Sequence, residues 1–317
     1  MSLPRVTVIG AGQVGATTAH LLALKGLADV VLIDVVDGLA QGKALDMMQS
    51  APVEGFVGRL TGTTDWAALA DSRVVVVTAG LARKPGMSRD DLLAANANIV
   101  GPIAERIAAG SPKAIIVVVT NPLDVMVALA LRRSKFPKPR VIGMAGILDS
   151  ARLRTVIAQR LDTAPSAVQA MILGSHGDMM VALRSSITVN GKPLTGLLPA
   201  AEITQLIDRA KNGGAEIVSL LKTGSAFYAP ASSAVQMVDA ILNDRHVVLP
   251  VCAWLEGEYG LRDVCIGVPA QLSAQGIERV VEMPLAAEER SALHAAAEQV
   301  KAGIKSLANI QPAGARA

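Results

Sequence analysis

The sequence predicts an α/β protein, with a doubly wound parallel sheet in its first half and a mixed α+β domain in its second. Three observations predict it. Short aliphatic runs alternate with helical patterns through the first half. Val74-Val75-Val76-Val77 and Ile115-Ile116-Val117-Val118-Val119 are apolar at every position. Only 2% of the 317 residues are aromatic, so the core has to be built from Ala, Val, Leu, Ile and Met. Strand-helix alternation builds parallel strands joined by crossover helices, and a strand apolar on both faces needs a helical layer on each side.

In order, Val6 to Ile9 reads as a strand, Val14 to Lys25 as a helix and Val30 to Ile33 as a second strand. A helix over 39–49 follows, then the Val74 run. Arg89 to Ala109 is a long helix ended by Gly110, with Pro112 just beyond as a stop. The Ile115 run, a helix from about Pro122 and a strand at Val141-Ile142 complete this half. After about residue 146 the pattern changes. Leu153 to Leu161 is helical, Val168 to Leu173 extended, and Ser186 to Gly191 a strand entering a hairpin, because Asn190-Gly191 favours a type I′ turn. Helices over 203–212 and 232–242, strands over 247–254 and 264–267, and a helix over 287–307 close the chain before a polar tail. The expected units are 1–145 and 146–317. No linker composition separates them, so tight packing of the halves is expected.

Composition excludes several classes. The net charge is only +3, the basic residues are dispersed and stacking aromatics are nearly absent, so nucleic acid is not an expected partner. The two cysteines, Cys252 and Cys265, stand in apolar stretches without ligand spacing. Buried free thiols of a reducing compartment are expected, and no metal site. The first residues pass at once into a strand, and no apolar run approaches the ~18 residues of a membrane span. A soluble cytoplasmic protein is expected.

Gly10-Ala11-Gly12-Gln13-Val14-Gly15 follows the first strand and opens the first helix. In that context a GxGxxG is the Rossmann fingerprint: one glycine for the turn, one for approach of a pyrophosphate, one for helix-strand packing, with helix N–H groups free for the anion. Asp34 ends the second strand, where an acid accepts bonds from ribose hydroxyls and repels a 2′-phosphate. NAD is the expected cofactor. Gly10, Asp34, Thr78-Ala79-Gly80, Asn121 and Gly143 each follow a predicted strand, so a parallel sheet collects them along one edge.

Further motifs follow in order: Thr78 to Arg89, Thr120-Asn121-Pro122, Leu148-Asp149-Ser150-Ala151-Arg152 and Gly174-Ser175-His176-Gly177-Asp178. With the glycine loop, these resemble the lactate/malate dehydrogenase family over essentially the whole chain, and within it the bacterial branch acting on malate and oxaloacetate. The resemblance implies that His176 is the general acid/base, Asp149 its orienting carboxylate and Arg152 the clamp on the substrate C1 carboxylate. It implies that Arg89 polarises the C2 carbonyl from a lid loop, that Asn121 bonds the substrate oxygen, and that Val119 and Asn96 join Gly10, Gly12, Gln13, Val14, Gly15, Asp34, Thr78, Ala79, Gly80 and Asn121 at the cofactor. Arg83 would pair with a second carboxylate, favouring malate over lactate. A homodimer or homotetramer is implied as well. Read without the resemblance, Asp149 and Arg152 are an i, i+3 ion pair, Arg83 and Arg89 belong to a solvated basic loop, and Asn121 caps a helix. A dehydrogenase for lactate or a longer 2-hydroxy acid, and a non-catalytic NAD(H)-sensing protein, stay open at this stage.

Overall fold

The computed structural model describes residues 3–82 and 87–307. Arg83, expected at the far end of the substrate, lies outside the described residues. The first half runs β1 (Arg5–Ile9), α1 (Gln13–Leu24), β2 (Asp29–Ile33), α2 (Leu39–Glu54), β3 (Leu60–Thr63), β4 (Val74–Val77), α3 (Arg89–Gly110), β5 (Ile115–Val118), α4 (Leu123–Ser134) and β6 (Val141–Gly143). The second half runs α5 (Gly146–Arg160), β7 (Val168–Gln169), β8 (Ile172–Gly174), β9 (Met180–Ala182), β10 (Thr188–Val189), β11 (Lys192–Pro193), α6 (Ala200–Leu221), α7 (Tyr228–Leu242), β12 (Val247–Glu256), β13 (Arg262–Ser273), β14 (Gly276–Val280) and α8 (Ala287–Ser306).

The principal sheet has the order β3-β2-β1-β4-β5-β6-β12-β13-β8-β9, with β14 paired to β13. Strands β1 to β6 are mutually parallel, and the strands beyond them pair antiparallel. The expected α/β class holds, with one addition: pairing of Cys252 with Gly143 carries the sheet from the first half into the second. The all-apolar strands split their side chains by the strand period of two. Val75, Val77, Ile116 and Val118 pack toward α3 and α4, and Val74, Val76, Ile115 and Val117 toward α1 and α7. Helix α7 comes from the second half yet covers the first half's sheet.

The sequence pattern missed β3, β9 and β14. Leu60-Thr61-Gly62-Thr63 is a polar edge strand with no aliphatic run, and pairing with β2 supplies its order. Strand β13 is longer than the apolar stretch 264–267, because its pairing with β12 continues past Pro269 and Gln271. Helix α6 runs on through Gly213-Gly214, where the expectation ended at Asn212. Each glycine costs such a helix about 1 kcal/mol against alanine, so packing sustains it there. The hairpin expected at Asn190-Gly191 is present, both residues having positive φ (49° and 75°) as a type I′ turn requires.

Candidate active site

The loop from β1 into α1 is shaped by what it cannot accommodate. Gly10 has φ +103°, and a Cβ on it would lie 2.7 Å from the Ala79 nitrogen; a Cβ on Gly15 would lie 1.8 Å from the Gly10 oxygen. Neither position tolerates a side chain, whereas a Cβ on Gly12 would meet nothing within 4 Å, so the outer face of the loop is open. Asp34, just past β2, accepts from the Ala11 N–H through Oδ2 (2.6 Å) and from the Val36 N–H through Oδ1 (3.0 Å). Both oxygens keep lone pairs for a further donor. An open glycine turn at a helix N-terminus, with an acid at the next strand end, fits a dinucleotide.

Along the same sheet edge, Thr78 Oγ1 donates to the Ile9 and Gly10 carbonyls (3.1 Å each). Asn96, expected at the cofactor, is bonded within the protein. It is fully buried on α3, and its amide is committed to the protein: Oδ1 accepts from Leu81 N (2.7 Å), and Nδ2 donates to the carbonyls of Leu81 (3.1 Å) and Asn121 (2.6 Å). Its side chain therefore braces Asn121, with both amide hydrogens engaged within the protein.

A cavity of about 360 Å³ opens beyond the strand ends, and its lining includes Val14, Val119, Asn121, Met144, Arg152 and His176. It thus joins four of the residues singled out in the sequence as cofactor or substrate contacts to the histidine. The remaining expected cofactor residues, Gly10, Gly12, Gln13, Gly15, Asp34, Thr78, Ala79 and Gly80, stand outside its lining, on the neighbouring turns of that edge. None of His20, His246 and His294 lines it.

His176 sits in the loop between β8 and β9, with Gly174 and Gly177 at positive φ on either side. Its Nδ1 is 2.9 Å from Asp149 Oδ2, which leaves Nε2 as the ring nitrogen free for a ligand. Asp149 lies in the first turn of α5, where the helix dipole favours its charge, and is 3% exposed. Arg152, one turn on and 16% exposed, has Nη1 3.6 Å from Asp149 Oδ1; its Nε is buried without a hydrogen-bond partner. Burial opposes the imidazolium, yet the charge and hydrogen bond of Asp149, joined by the charge of Asp124, outweigh it and raise the pKa of His176 above the ordinary histidine value. Arg152 acts in the opposite sense on the histidine, and its own pKa is lowered by burial against the pull of Asp149.

Arg89 lies apart from this cluster. It is the first residue of α3, held there by a capping box in which Ser88 Oγ accepts from Asp91 N (3.0 Å) and Asp91 Oδ2 accepts from Ser88 N (3.1 Å). Its guanidinium bonds Asp178 at 2.7 Å, with the two side chains 66% and 72% exposed. Both residues line a second cavity of about 460 Å³, which Asn121 and His176 line as well.

Residues 4–143 match the family described as lactate/malate dehydrogenase, NAD binding domain, and residues 147–311 match lactate/malate dehydrogenase, alpha/beta C-terminal domain. The chain belongs to the lactate/malate dehydrogenase family. Among its relatives, the malate dehydrogenase of Nostoc punctiforme is 54% identical over 304 residues, covering 96% of this chain and 93% of that protein. That of Chloroherpeton thalassium is 55% identical over 298 residues, covering 94% and 96%. The Salinibacter ruber malate dehydrogenase structure superposes with a TM-score of 0.92 at 47% identity, over 96% of this chain and 98% of that one. A Cryptosporidium parvum lactate dehydrogenase, solved with lactic acid and nicotinamide adenine dinucleotide, superposes with a TM-score of 0.95 at 37% identity, covering 98% of this chain and all of that one (100%). Both kinds of enzyme thus share this backbone shape, which by itself does not separate them. The N-terminal half is an NAD-binding domain, as its glycine loop and Asp34 indicate.

Several cavity residues escaped sequence reasoning. Lys211, Gly214 and Val218 come from α6, Ser225 and Ala226 from the segment leading into α7, and Pro230 from the first turn of α7. The signal that could have found them is the Gly213-Gly214 pair inside a helical pattern. A Cβ on either glycine would stand 3.4–3.5 Å from the Arg152 side chain, an ordinary contact, so this stretch of α6 packs directly on that arginine. Asp124 and Ser175 were missed because each reads locally as a helix-start or turn residue.

Proposed function

We propose that this protein is an NAD-dependent malate dehydrogenase interconverting (S)-malate and oxaloacetate, with residues 1–145 holding the cofactor and residues 146–317 contributing most of the catalytic groups. The observation that carries the reading is the hydrogen bond between His176 Nδ1 and Asp149 Oδ2 at the floor of a cavity that Asn121 and Arg152 also line. Relatives named malate dehydrogenase at 50–55% identity over nearly the whole chain support the choice of substrate. NAD, held by the Gly10–Gly15 loop and Asp34, would supply the hydride-accepting and hydride-donating chemistry at C2 of the substrate.

The protein's own groups handle the proton and the charge. Neutral His176 takes the hydroxyl proton at Nε2 as malate is oxidised, and the imidazolium returns it to the oxygen when oxaloacetate is reduced. Asp149 orients the ring and stabilises its cation. Arg152 grips the C1 carboxylate with two parallel hydrogen bonds. Asn121 bonds the substrate oxygen at C2. The loop Gly10 to Gly15 binds the pyrophosphate through backbone N–H groups, Asp34 the adenosine ribose, and Val14 and Val119 the dinucleotide near the cavity.

Arg89 polarises the C2 carbonyl in this scheme, which requires it to exchange Asp178 for the substrate. An exposed ion pair of that kind contributes only about 0.2–1 kcal/mol, so the exchange costs little. The role of Arg83 rests on the sequence resemblance: pairing with the second carboxylate of oxaloacetate, and finding no partner on pyruvate. The direct test follows absorbance at the NADH band after addition of oxaloacetate, with pyruvate as control. Rapid loss with oxaloacetate alone is expected. Equal rates with pyruvate would make the protein a broader 2-hydroxy acid dehydrogenase, and no loss with either would leave only a binding protein.

Two further assignments complete the proposal. Leu45, Val53 and Val57 are exposed on and just after α2, and exposed aliphatic side chains of this size suit burial against a second copy. A homodimer or homotetramer is expected by light scattering. Cys252 and Cys265 lie on paired strands as free, buried thiols, which suits a reducing cytoplasm. No helix among the described residues is long and apolar enough to cross a membrane.

A further inference from the structure

Asp124 belongs to none of the roles assigned so far, yet it is 3% exposed and lies beside the catalytic loop. Helix α4 begins directly after Asn121-Pro122, so Asp124 falls in its first turn, where the helix N-terminus favours a negative charge. Its Oδ2 accepts from Ser175 Oγ at 2.6 Å and from the His176 backbone N–H at 3.3 Å. Both donors belong to the short loop between β8 and β9 that carries the imidazole. On the ring side, Asp149 from α5 holds Nδ1. Two carboxylates on two helices therefore act on one histidine, one through the ring and one through the backbone.

The other end of the link is equally firm. Asn121, three residues before Asp124, has its carbonyl bonded by the buried amide of Asn96 on α3. A short stretch of chain thus connects two groups that both line the cavity, Asn121 and His176. We propose that Asp124 is a second positioning carboxylate of the active site, pinning the Ser175–His176 backbone to the first turn of α4 and so setting the spacing of Asn121 and the imidazole. The inference rests on the dehydrogenase reading above and adds a residue to it.

The electrostatics follow from the same contacts. Burial pushes the Asp124 carboxyl up, while the Ser175 hydroxyl, the Cys252 thiol of β12, the charge of His176 and its amide pull it down. Cys265 of β13 lies against Cys252. Around His176, Asp149 and Asp124 both favour the imidazolium and Arg152 opposes it. Arg89, Asp90 and Asp178 line the outer cavity that Asp124 also borders. Loss of the Asp124 charge therefore makes the imidazole give up its proton at lower pH.

The test compares Asp124→Asn, Asp124→Ala and Ser175→Ala with the wild type in oxaloacetate reduction and malate oxidation across pH, with NADH affinity measured by fluorescence. In Asp124→Ala, kcat is expected to fall by on the order of tenfold or more, with NADH affinity retained. Asp124→Asn, which keeps an acceptor, recovers part of that loss but leaves the pH limbs of both directions displaced to lower pH. Ser175→Ala, which spares the buried acid, lowers kcat without displacing the limbs, and it keeps the proposal testable if the Ala variant fails to fold. A kcat of Asp124→Asn within about twofold of wild type, or unmoved limbs, would overturn the proposal, since an acid that only ties two elements together has no reason to move a pH profile. NMR titration of the His176 ring in ligand-free protein reads the same displacement without turnover. It separates failure of this inference from failure of the malate assignment, which the wild-type assay alone decides.

Discussion

Arg152 and Arg89 are both guanidinium groups assigned to one small dianion, and the protein treats them in opposite ways. Arg152 is largely buried on α5, between Asp149 and the Gly213-Gly214 stretch of α6. Arg89 is exposed at the start of α3 and bonded to Asp178 on the surface. The first belongs to a constellation already assembled by the protein's own hydrogen bonds: Asp149 to His176, Asp124 to the His176 loop, Asn96 to Asn121. The second has a definite backbone position, through its capping box, and a partner it can leave at small cost. Preorganised donors cost no rearrangement at the moment of reaction. A donor that must first change partners can instead make the polar environment conditional on a substrate being there.

The sharpest way to break this contrast is to attack its buried member. His176→Asn should lower oxaloacetate turnover by on the order of 10³-fold or more while NADH still quenches or enhances fluorescence on binding; turnover near wild type would remove the assigned base. Next in size is Arg83→Gln. The expected result is a fall in kcat/KM for oxaloacetate of about 10²–10³-fold, with a rise for pyruvate. An unchanged ratio of the two substrates would show that selectivity resides elsewhere.

Asp149→Asn tests the electrostatic half of the buried set. Its charge and hydrogen bond raise the pKa of His176 against burial, so its removal lets the imidazolium deprotonate at lower pH. Oxaloacetate reduction needs the imidazolium, and its alkaline limb should move to lower pH, with kcat down by about 10²-fold. A limb that stays in place would detach Asp149 from the proton. The smallest effect is expected from Asp178→Asn, which frees Arg89 from its surface partner. Both kcat and KM should stay within about threefold of wild type, as for other exposed pairs, and a loss comparable to that of Asp149→Asn would mean the Arg89–Asp178 pair is part of the working site.

Much of this was legible in the chain. The Val74 and Ile115 runs announced strands covered on both faces, and Val75 with Ile116, and Val74 with Ile115, do divide between two helical layers. The glycine loop, Asp34, Asp149, Arg152 and His176 stood out because their motifs are local. The parts that were not legible are non-local. Strand β3 has no apolar run and exists through pairing with β2. The bonds from Asn96 to Leu81 and Asn121 span 15 and 25 residues, and no local pattern announces them.

By itself, then, the sequence determined the periodicities, the dinucleotide loop and the likeness to the family, and it marked His176 as the expected acid/base, because each is written within short motifs of a few consecutive residues. Only the tertiary structure decided which groups stand around that histidine: that Asp149 faces its ring, that Asp124 grips its backbone from α4, and that Arg89 turns to Asp178. Those partners are separated from His176 by 27 and 52 residues, and the two members of the surface pair by 89. Side chains so distant along the chain meet only when burial of the sheet's two faces brings their helices together, and no local pattern encodes that meeting.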